Sequence, residues 1–331
     1  MQPVTTSEHR STAKWADASL FHAVAMEAAR RHPSAISGFS FERFAPHFPT
    51  RTGLVPTRLL HDLRQACIDS VGPAATFNIY ANCLLGRSYP FSMPLVTAPN
   101  AASLVRRIQA VEELTPRIST TTLIDDGDRW VELQQRRHDA AMAGTVNYSI
   151  AYWGMIVGLF AAAGYRDLVL VSQDTIDSQT ICVNGTLREG ALTALPSMQL
   201  ARLAWRARDP ITPTVDAIAT VTESPMIGHF ALAISSAIES GSPLPSLETL
   251  ALLAHRSARS VQRDLTSIWT TLRDIRMSVR MQRVTLLLAE SSQTLAEVAF
   301  NSGFSDAPHL AREFKRVVGL TPERYRMMCR M

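Results

Sequence analysis

The sequence predicts an α+β N-terminal domain and an all-α C-terminal domain that contains two helix-turn-helix subdomains joined by a long helix. Two observations lead to this fold class. Helical and strand patterns alternate over the first two-thirds of the 331 residues, and a capped helix, a turn and a second capped helix occur twice after Ser246. Because 331 residues exceed one average domain, we expect an N-terminal domain over residues 1–215 and a C-terminal domain over residues 222–331.

The N-terminal elements follow from hydrophobic periodicity and turn signals. In chain order they are an amphipathic helix over Trp15–Arg31, a hairpin of Thr121–Ile124 and Arg129–Leu133, a buried helix over Val146–Ala163 and a buried strand over Asp167–Ser172. A helix over Ile227–Ile238 begins the C-terminal domain. The segment Leu195–Pro213 holds three prolines and is interpreted as a connector around one short helix. The boundary between the domains is therefore expected between about 210 and 225.

The composition points away from a membrane or secreted protein. Val146–Ala163 is the most apolar stretch, but a spanning helix needs about 20 mostly apolar residues, and this stretch begins with the polar Asn147 and Tyr148. Met1–Lys14 is polar and lacks the apolar run of a secretory signal. The four cysteines lie far apart, without the spacing of zinc or redox motifs. We expect a cytoplasmic protein with reduced thiols, no metal and no cofactor.

The first helix-turn-helix motif is predicted over residues 246–268. Ser246 caps its first helix, and Ser257 caps its second helix after a break at His255-Arg256. The apolar face of the second helix consists of Ala258, Val261, Leu265 and Ile268. Its polar face consists of Arg259, Gln262, Arg263 and Thr266. Arginine and glutamine can bind the edges of guanine and adenine in a major groove, although a solvated polar face would have the same pattern.

The second motif is predicted over residues 294–318. Thr294 and Glu297 have the spacing of a capping box, and Gly303 suits the left-handed residue of the turn. Asp306 then caps a helix that runs to Val318 and stops before Gly319. Its apolar stripe consists of Leu310, Phe314 and Val317, and the side chains that point elsewhere are His309, Arg312 and Arg316.

The residues between the motifs predict one long helix over Thr271–Glu290 that is apolar on more than one side. Twenty residues give about 30 Å of helix, which is close to the ~34 Å turn that separates successive major grooves of DNA. Two recognition helices held by such a connector could enter neighbouring grooves on one side of a duplex.

The charge distribution agrees with contact to a phosphate backbone. Residues 246–331 hold 13 Lys/Arg and 8 Asp/Glu, whereas the remainder holds 20 and 21. The positive excess therefore lies in the final quarter of the chain, where both motifs are.

The C-terminal third resembles the AraC/XylS family of transcription regulators. The similarity is strongest over Arg283–Arg326, which contains A-E-V-A, G-F-S-D, R-E-F-K, G-L-T-P and a final Tyr-Arg in the order of the family pattern. The resemblance implies that base edges are contacted by Arg259, Gln262, Arg263, His309 and Arg312. It implies that Lys315, Arg316 and Arg326 meet phosphates or hold the fold. Double-stranded DNA and RNA polymerase are the partners that it implies.

The chain departs from the family pattern at three places. Trp269 stands where a glycine commonly closes the first recognition helix, and Pro308 and Leu310 replace the usual Ser and Phe of the second motif. We expect the fold to persist and the sequence preference to be individual to this protein.

In the N-terminal region, a helix with the aromatic pair Tyr152-Trp153 is followed by Gly164 and a strand over Leu168–Val171. In this order of elements the region resembles the α/β effector domain of one branch of the family, the arabinose-binding-like domain. That resemblance implies a small-molecule effector, for which Tyr148, Tyr152 and Trp153 are candidate pocket residues. Their apolar surroundings on one helix favour a second interpretation, in which all three are core aromatics. A domain that only forms a homodimer is an alternative. An enzyme fused to a DNA-binding module is a further alternative, but no cysteine cluster, G-x-S-x-G elbow, phosphate loop or H-E-x-x-H pair is present, and His61-Asp62 has no partner in sequence. We therefore expect no catalytic residues.

Overall fold

The computed structural model describes residues 15–36, 54–83, 95, 97–114, 119–138, 146–174, 179–188, 190–195, 198–209, 225–267, 271–318 and 320–331. Within these ranges the N-terminal part is α/β with an antiparallel sheet, and the C-terminal part is all helical. The predicted fold class is thereby confirmed. The predicted domain boundary falls mostly on residues 210–224, which lie outside the described ranges, so its position stays a prediction.

The N-terminal domain is built on a six-stranded antiparallel sheet with the strand order β3-β4-β9-β6-β7-β8. Its strands are β3 (Ser119–Gly127), β4 (Trp130–Arg137), β6 (Val169–Ser172), β7 (Gln179–Val183), β8 (Thr186–Leu187) and β9 (Leu200–Ala204). Two short strand pairs lie outside it: β1 (Trp15–Asp17) with β2 (Leu54–Pro56), and β5 (Tyr165–Arg166) with β10 (Ala207–Arg208).

The predicted hairpin is present and is longer than the sequence pattern indicated. The acidic residues Asp125 and Asp126 belong to β3, which carries an irregularity after Leu123, and the turn itself is formed by residues 128–129. On β4 the alternation is as expected, since Val131 and Leu133 are fully buried. The strand pairing places Ser119 opposite Arg137 and Thr121 opposite Gln135.

The interpretation of Leu195–Pro213 as a connector around a short helix is wrong. The segment contains β9, a central strand that pairs with β4 on one side and β6 on the other. Ala201 and Leu203 point into the core at alternate positions and are fully buried, which is the period of a strand. The prolines flank this strand and do not interrupt it, since Pro196 precedes it and Pro210 follows it.

Four longer helices accompany the sheet: α1 (Ala18–Arg31), α2 (Thr57–Asn82), α3 (Ala101–Leu114) and α4 (Val146–Ala162); a short α5 spans Ala191–Ala194. The stretch Trp15–Arg31, predicted as one helix, begins instead with β1. Helix α2 is kinked at Gly72, whose φ is 80°, directly before Pro73. None of the helices in the described ranges has both the length and the apolar run needed to cross a membrane.

Two glycines on one face of α4 let it approach α2 closely. A Cβ at Gly154 would lie 2.8 Å from the Phe77 carbonyl oxygen, and one at Gly158 would meet the Ala81 carbonyl even more closely. Because backbone atoms cannot move aside as a flexible side chain can, these two positions require glycine.

We expect Gly158→Ala to lower the free energy of unfolding by about 1–3 kcal/mol through overpacking. At an ordinary helical position the same change raises stability by roughly 0.5–1 kcal/mol, so the sign of the effect tests the close contact. Urea denaturation followed by tryptophan fluorescence measures it. Gly154→Ala should act in the same direction with a smaller effect, and a stabilised Gly158→Ala variant would contradict this account.

The C-terminal part consists of seven helices in the described ranges. They are α6 (Pro225–Glu239), α7 (Leu247–Leu253), α8 (Ala258–Ser267), α9 (Leu272–Glu290), α10 (Leu295–Asn301), α11 (Ala307–Val318) and α12 (Pro322–Arg330). The predicted helices at residues 227–238 and 271–290 are thus confirmed within two residues. Ile268, Trp269 and Gly319 lie outside the described residues.

The long helix α9 contributes to two separate hydrophobic cores. Ile275 and Val279 pack with α6, α7 and α8 in the first core. Met281, Val284 and Leu288 pack with α10, α11 and α12 in the second core. This arrangement explains why the sequence of α9 is apolar on more than one side.

Helix α3 of the N-terminal domain contacts the second C-terminal core. Ala110 and Val111 pack against that core. On the same helix, the buried Arg107 guanidinium donates a hydrogen bond to the carbonyl of Cys329 near the end of α12. A cation at a helix C-terminus also interacts favourably with the helix dipole. The two domains are therefore joined by packing as well as by the chain.

Candidate nucleic-acid interface

The second helix of the first motif, α8, presents its polar face to solvent. Val261 and Leu265 are fully buried in the first core, and the side chains of Arg259, Gln262 and Arg263 are exposed. These three side chains form no hydrogen bond or ion pair with other described residues. They form a cationic, hydrogen-bonding surface along one side of α8.

The first motif is held by hydrogen bonds at both helix starts. The Ser246 hydroxyl accepts a hydrogen bond from the Thr249 amide at 3.2 Å, and the Ser257 hydroxyl accepts one from the Ser260 amide at 3.1 Å. Arg256 forms an ion pair with Asp264. Because Asp264 is neutralised within the motif, the exposed arginines of α8 dominate the local charge.

The second helix of the second motif, α11, also presents basic side chains. Arg312, Lys315 and Arg316 are exposed, whereas Leu310 and Phe314 are fully buried. Arg316 is engaged by Glu313 at 2.7 Å, and this hydrogen-bonded pair lowers the pKa of the Glu313 carboxyl. Surface ion pairs of this kind contribute little stability, so Arg316 can exchange Glu313 for a phosphate at small cost.

His309 is less exposed to solvent than Arg312. Its ring is half-buried, lies 5.3 Å from the Phe304 ring in an edge-to-face arrangement, and its Nδ1 is 3.0 Å from the Ser305 hydroxyl. The His309 amide donates to the Asp306 carboxylate at 2.6 Å, and this bond is the main reason why the pKa of Asp306 is lowered. His309 therefore contributes to the structure of the turn.

The two motifs have the same order of elements, and the second turn is one residue longer than the first. The predicted capping box is confirmed, because the Glu297 carboxylate accepts from the Thr294 amide at 2.7 Å while the Thr294 hydroxyl accepts from the Glu297 amide at 3.3 Å. In the two turns the same position has a left-handed backbone, with φ of 52° at His255 and 74° at Gly303. Within the recognition helices, Arg263 and Arg312 each follow a buried core residue by two positions.

A protein-family comparison agrees with this geometry. The helix-turn-helix domain family designated HTH_18, which is of the AraC type, matches residues 250–328. Residues 250–328 form an AraC-type helix-turn-helix domain. This range contains α8, α9, α10 and α11 in full, so both recognition helices lie inside the AraC-type domain.

Individual relatives add context for the AraC-type domain. The chain is 34% identical over 82 residues to the ornithine utilization regulator of Pseudomonas aeruginosa, which is 25% of this chain and 24% of that protein. The chain thus matches about a quarter of the length of this curated relative. It is also similar to the crystal structure of the transcriptional regulator CdpR from Pseudomonas aeruginosa, with a TM-score of 0.33 and 12% identity over 93% of this chain and 98% of that one. A TM-score of this size does not establish a common fold.

The aromatic residues that the sequence argument placed in an effector pocket lie in the core, between α4 and the sheet. Tyr148 and Tyr152 stack with ring centroids 6.3 Å apart, and Trp153 meets Tyr152 edge-on at 4.9 Å. The Tyr148 hydroxyl donates to Ser119 at 2.8 Å, and the Tyr152 hydroxyl is 2.6 Å from the Thr121 hydroxyl. Burial raises the pKa of Tyr148 to about 12, so both hydroxyls act as neutral hydrogen-bonding groups.

Around these tyrosines is a group of buried and half-buried polar side chains that the sequence pattern did not single out. We call it the inner polar cluster; it consists of Arg64, Glu112, Ser119, Thr121, Gln135, Arg137, Tyr148, Ser149 and Tyr152. The signal was available on β4, where Gln135 and Arg137 continue the alternation of the buried Val131 and Leu133. Polar residues on a core-facing strand position indicate either a specific network or a binding site.

The remaining residues considered in the sequence are His61, Asp62 and the four cysteines. His61 and Asp62 are exposed and 3.8 Å apart. In the described ranges, no group of histidine, cysteine and carboxylate side chains has the arrangement of a metal site. The four cysteines are buried, and burial raises the pKa of Cys67 to about 11 and that of Cys182 to about 12.

Proposed function

We propose that this protein is a sequence-specific DNA-binding transcription regulator whose DNA affinity is modulated by a small molecule bound to the N-terminal domain. The observation that carries the proposal is the pair of exposed basic helices, α8 and α11, in one AraC-type domain. Double-stranded DNA and RNA polymerase are the partners of this function, which takes place in the cytoplasm and requires no catalysis. A homodimer is compatible with it.

The two recognition helices are unequal in the roles proposed for them. Arg259, Gln262 and Arg263 on α8 read bases, and Arg312 reads bases from the corresponding position of α11. Pro308, aligned with Arg259, has no side chain that can donate a hydrogen bond, which supports a smaller base contact by α11. His309 assists from the start of α11, while Lys315 and Arg316 bind phosphates.

The connector α9 supports docking in two successive grooves. Its 19 residues correspond to about 28 Å, somewhat less than the ~34 Å turn of B-DNA. A modest bend of the DNA toward the protein would bring both grooves within reach of α8 and α11, at a deformation cost that depends on sequence.

Substitution of the base-reading arginines tests the DNA-binding role. Arg259→Ala and Arg312→Ala are each expected to weaken binding to a selected genomic site by ~1–3 kcal/mol and to relax base preference at one position. Binding of the full chain to the site and to random DNA, measured by fluorescence anisotropy, gives both values. The comparison variant Lys315→Ala should weaken both complexes equally. It should also reduce the slope of log K against log salt concentration by about one.

Equal losses of affinity for the selected site and for random DNA in the two arginine variants would show that these arginines do not read bases.

For the effector, the same assay is repeated with fractions of a small-molecule extract. A fraction that changes site affinity supports modulation, whereas no change with any fraction supports a purely dimerising N-terminal domain.

A further inference from the structure

The inner polar cluster occupies one face of the β3–β4 hairpin. Ser119, Thr121, Gln135 and Arg137 lie on this face, because Ser119 pairs with Arg137 and Thr121 with Gln135 across the hairpin and cross-strand pairs share a face. Helix α4 covers the face with Tyr148, Ser149 and Tyr152. A sheet–helix interface that served packing alone would be filled by apolar side chains.

Gln135 is the residue that points to a ligand. It has no exposed surface, and within the described part of the chain its Nε2 group has no hydrogen-bond partner, while its Oε1 accepts a long bond of 3.4 Å from Arg137 Nε. A buried amide donor without a partner is a substantial cost to the folded state. The position is therefore explained if Nε2 donates to an acceptor that a bound molecule supplies.

The surrounding groups favour an anionic acceptor. The guanidinium carbons of Arg64 and Arg137 lie 5.5 Å and 6.0 Å from the Tyr148 ring centroid. Arg137 is fixed by its hydrogen bond to the Ser149 hydroxyl at 2.8 Å. Both guanidinium groups carry a positive charge, which an anionic ligand would complement.

We infer that the inner polar cluster is a binding site for a small organic carboxylate, held by Arg137 and by the Gln135 amide, with its carbon skeleton against the Tyr148 ring. Arg137 is half-buried and reaches the surface, so it is the side chain that an entering carboxylate meets first. Guanidinium and amide donors match a carboxylate, whose oxygens accept several hydrogen bonds. This inference rests on the proposed effector function and names the class of effector.

The first measurement is the melting temperature of the full chain with acetate or benzoate, compared with acetamide or benzamide, which have the same shape without the charge. At a hundredfold excess over Kd, a carboxylate should raise the melting temperature by about 5 °C or more, and the amides should not. Inorganic phosphate is a third arm. A shift with phosphate and none with either carboxylate would overturn the inference.

Two variants with matched neighbours make the test specific. Gln135→Met and Arg137→Met should each weaken carboxylate binding, measured by calorimetry, by about tenfold to a hundredfold. Gln134→Met and Arg136→Met change exposed neighbours on the opposite face and should leave it unaltered. Gln135→Met should also melt no lower than the wild type without ligand, because it removes an unpartnered buried donor.

The outcomes separate this inference from the proposed function. If Gln135→Met unfolds more easily and no carboxylate shifts the wild type, Gln135 is structural and the inference is wrong. If an effector changes the affinity for DNA equally in the wild type and in Gln135→Met and Arg137→Met, the proposed modulation is supported and the inner polar cluster is not the effector site. If a carboxylate binds to the inner polar cluster without changing the affinity for DNA, the binding site is supported and modulation of DNA binding by this carboxylate is contradicted.

Discussion

Replacing Phe314 with alanine is expected to lower the free energy of unfolding of the second helix-turn-helix subdomain by about 3–5 kcal/mol. Phe314 is fully buried on α11, and its ring meets Tyr325 of α12 edge-on with centroids 5.2 Å apart. Its removal leaves a cavity between the recognition helix and the last helix. Because α11 is positioned by this core, specific DNA binding should fall with stability.

Phe300 provides the matched control, since it belongs to the same subdomain but is 82% exposed. Phe300→Ala should change stability by no more than about 0.5 kcal/mol. Chemical denaturation of the full chain, monitored by circular dichroism, compares the two variants. Equal effects of the two changes would mean that Phe314 does not anchor α11.

Glu112 is expected to make the free energy of unfolding strongly dependent on pH. Burial raises the pKa of its carboxyl from 4.5 to about 7, despite two hydrogen bonds from Thr121 that act in the opposite direction. Between about pH 4.5 and pH 7, the folded protein therefore holds a proton at Glu112 that the unfolded chain has released. This contribution is complete below about pH 4.5 and is lost as pH rises through 7, so stability falls across that window by about 3 kcal/mol.

Glu112→Gln replaces the carboxyl by a neutral amide and isolates this contribution. The variant should match the wild type near pH 4.5 and exceed it in unfolding free energy above pH 7. Urea denaturation at a series of pH values gives the difference between the two curves. Glu323→Gln, at an exposed position, should give a curve parallel to the wild type. A constant difference between Glu112→Gln and the wild type would contradict the assignment.

The C-terminal fold was predictable because its signals are local. The capping box at Thr294 and Glu297 forms within one helical turn, Gly303 ends its helix locally, and the four-residue spacing of Leu310 and Phe314 marks the buried face of α11. His255 was a weaker signal, because the first turn uses a left-handed residue without glycine. The location of that turn was nevertheless correct.

The N-terminal sheet was less predictable because its pairing is non-local. Strand β9 pairs with β4, about 70 residues earlier in the chain, and no local pattern indicates such a partner. The inner polar cluster has the same origin, since Arg64, Glu112 and Gln135 come from three separate elements. The sequence identified Tyr148 and Tyr152 through their helical spacing, whereas their polar neighbours become visible only when the elements are assembled.

The contact between α3 and the last helix bears on how the protein can be divided. A fragment that begins at residue 222 would lose Ala110, Val111 and Arg107, and with them the cover over part of the second core and the donor to the Cys329 carbonyl. The uncovered apolar surface is expected to promote self-association of the fragment. A soluble fragment or chimaera of the DNA-binding half should therefore include α3. Where α3 is left out, the apolar residues that it covers should be replaced by polar ones.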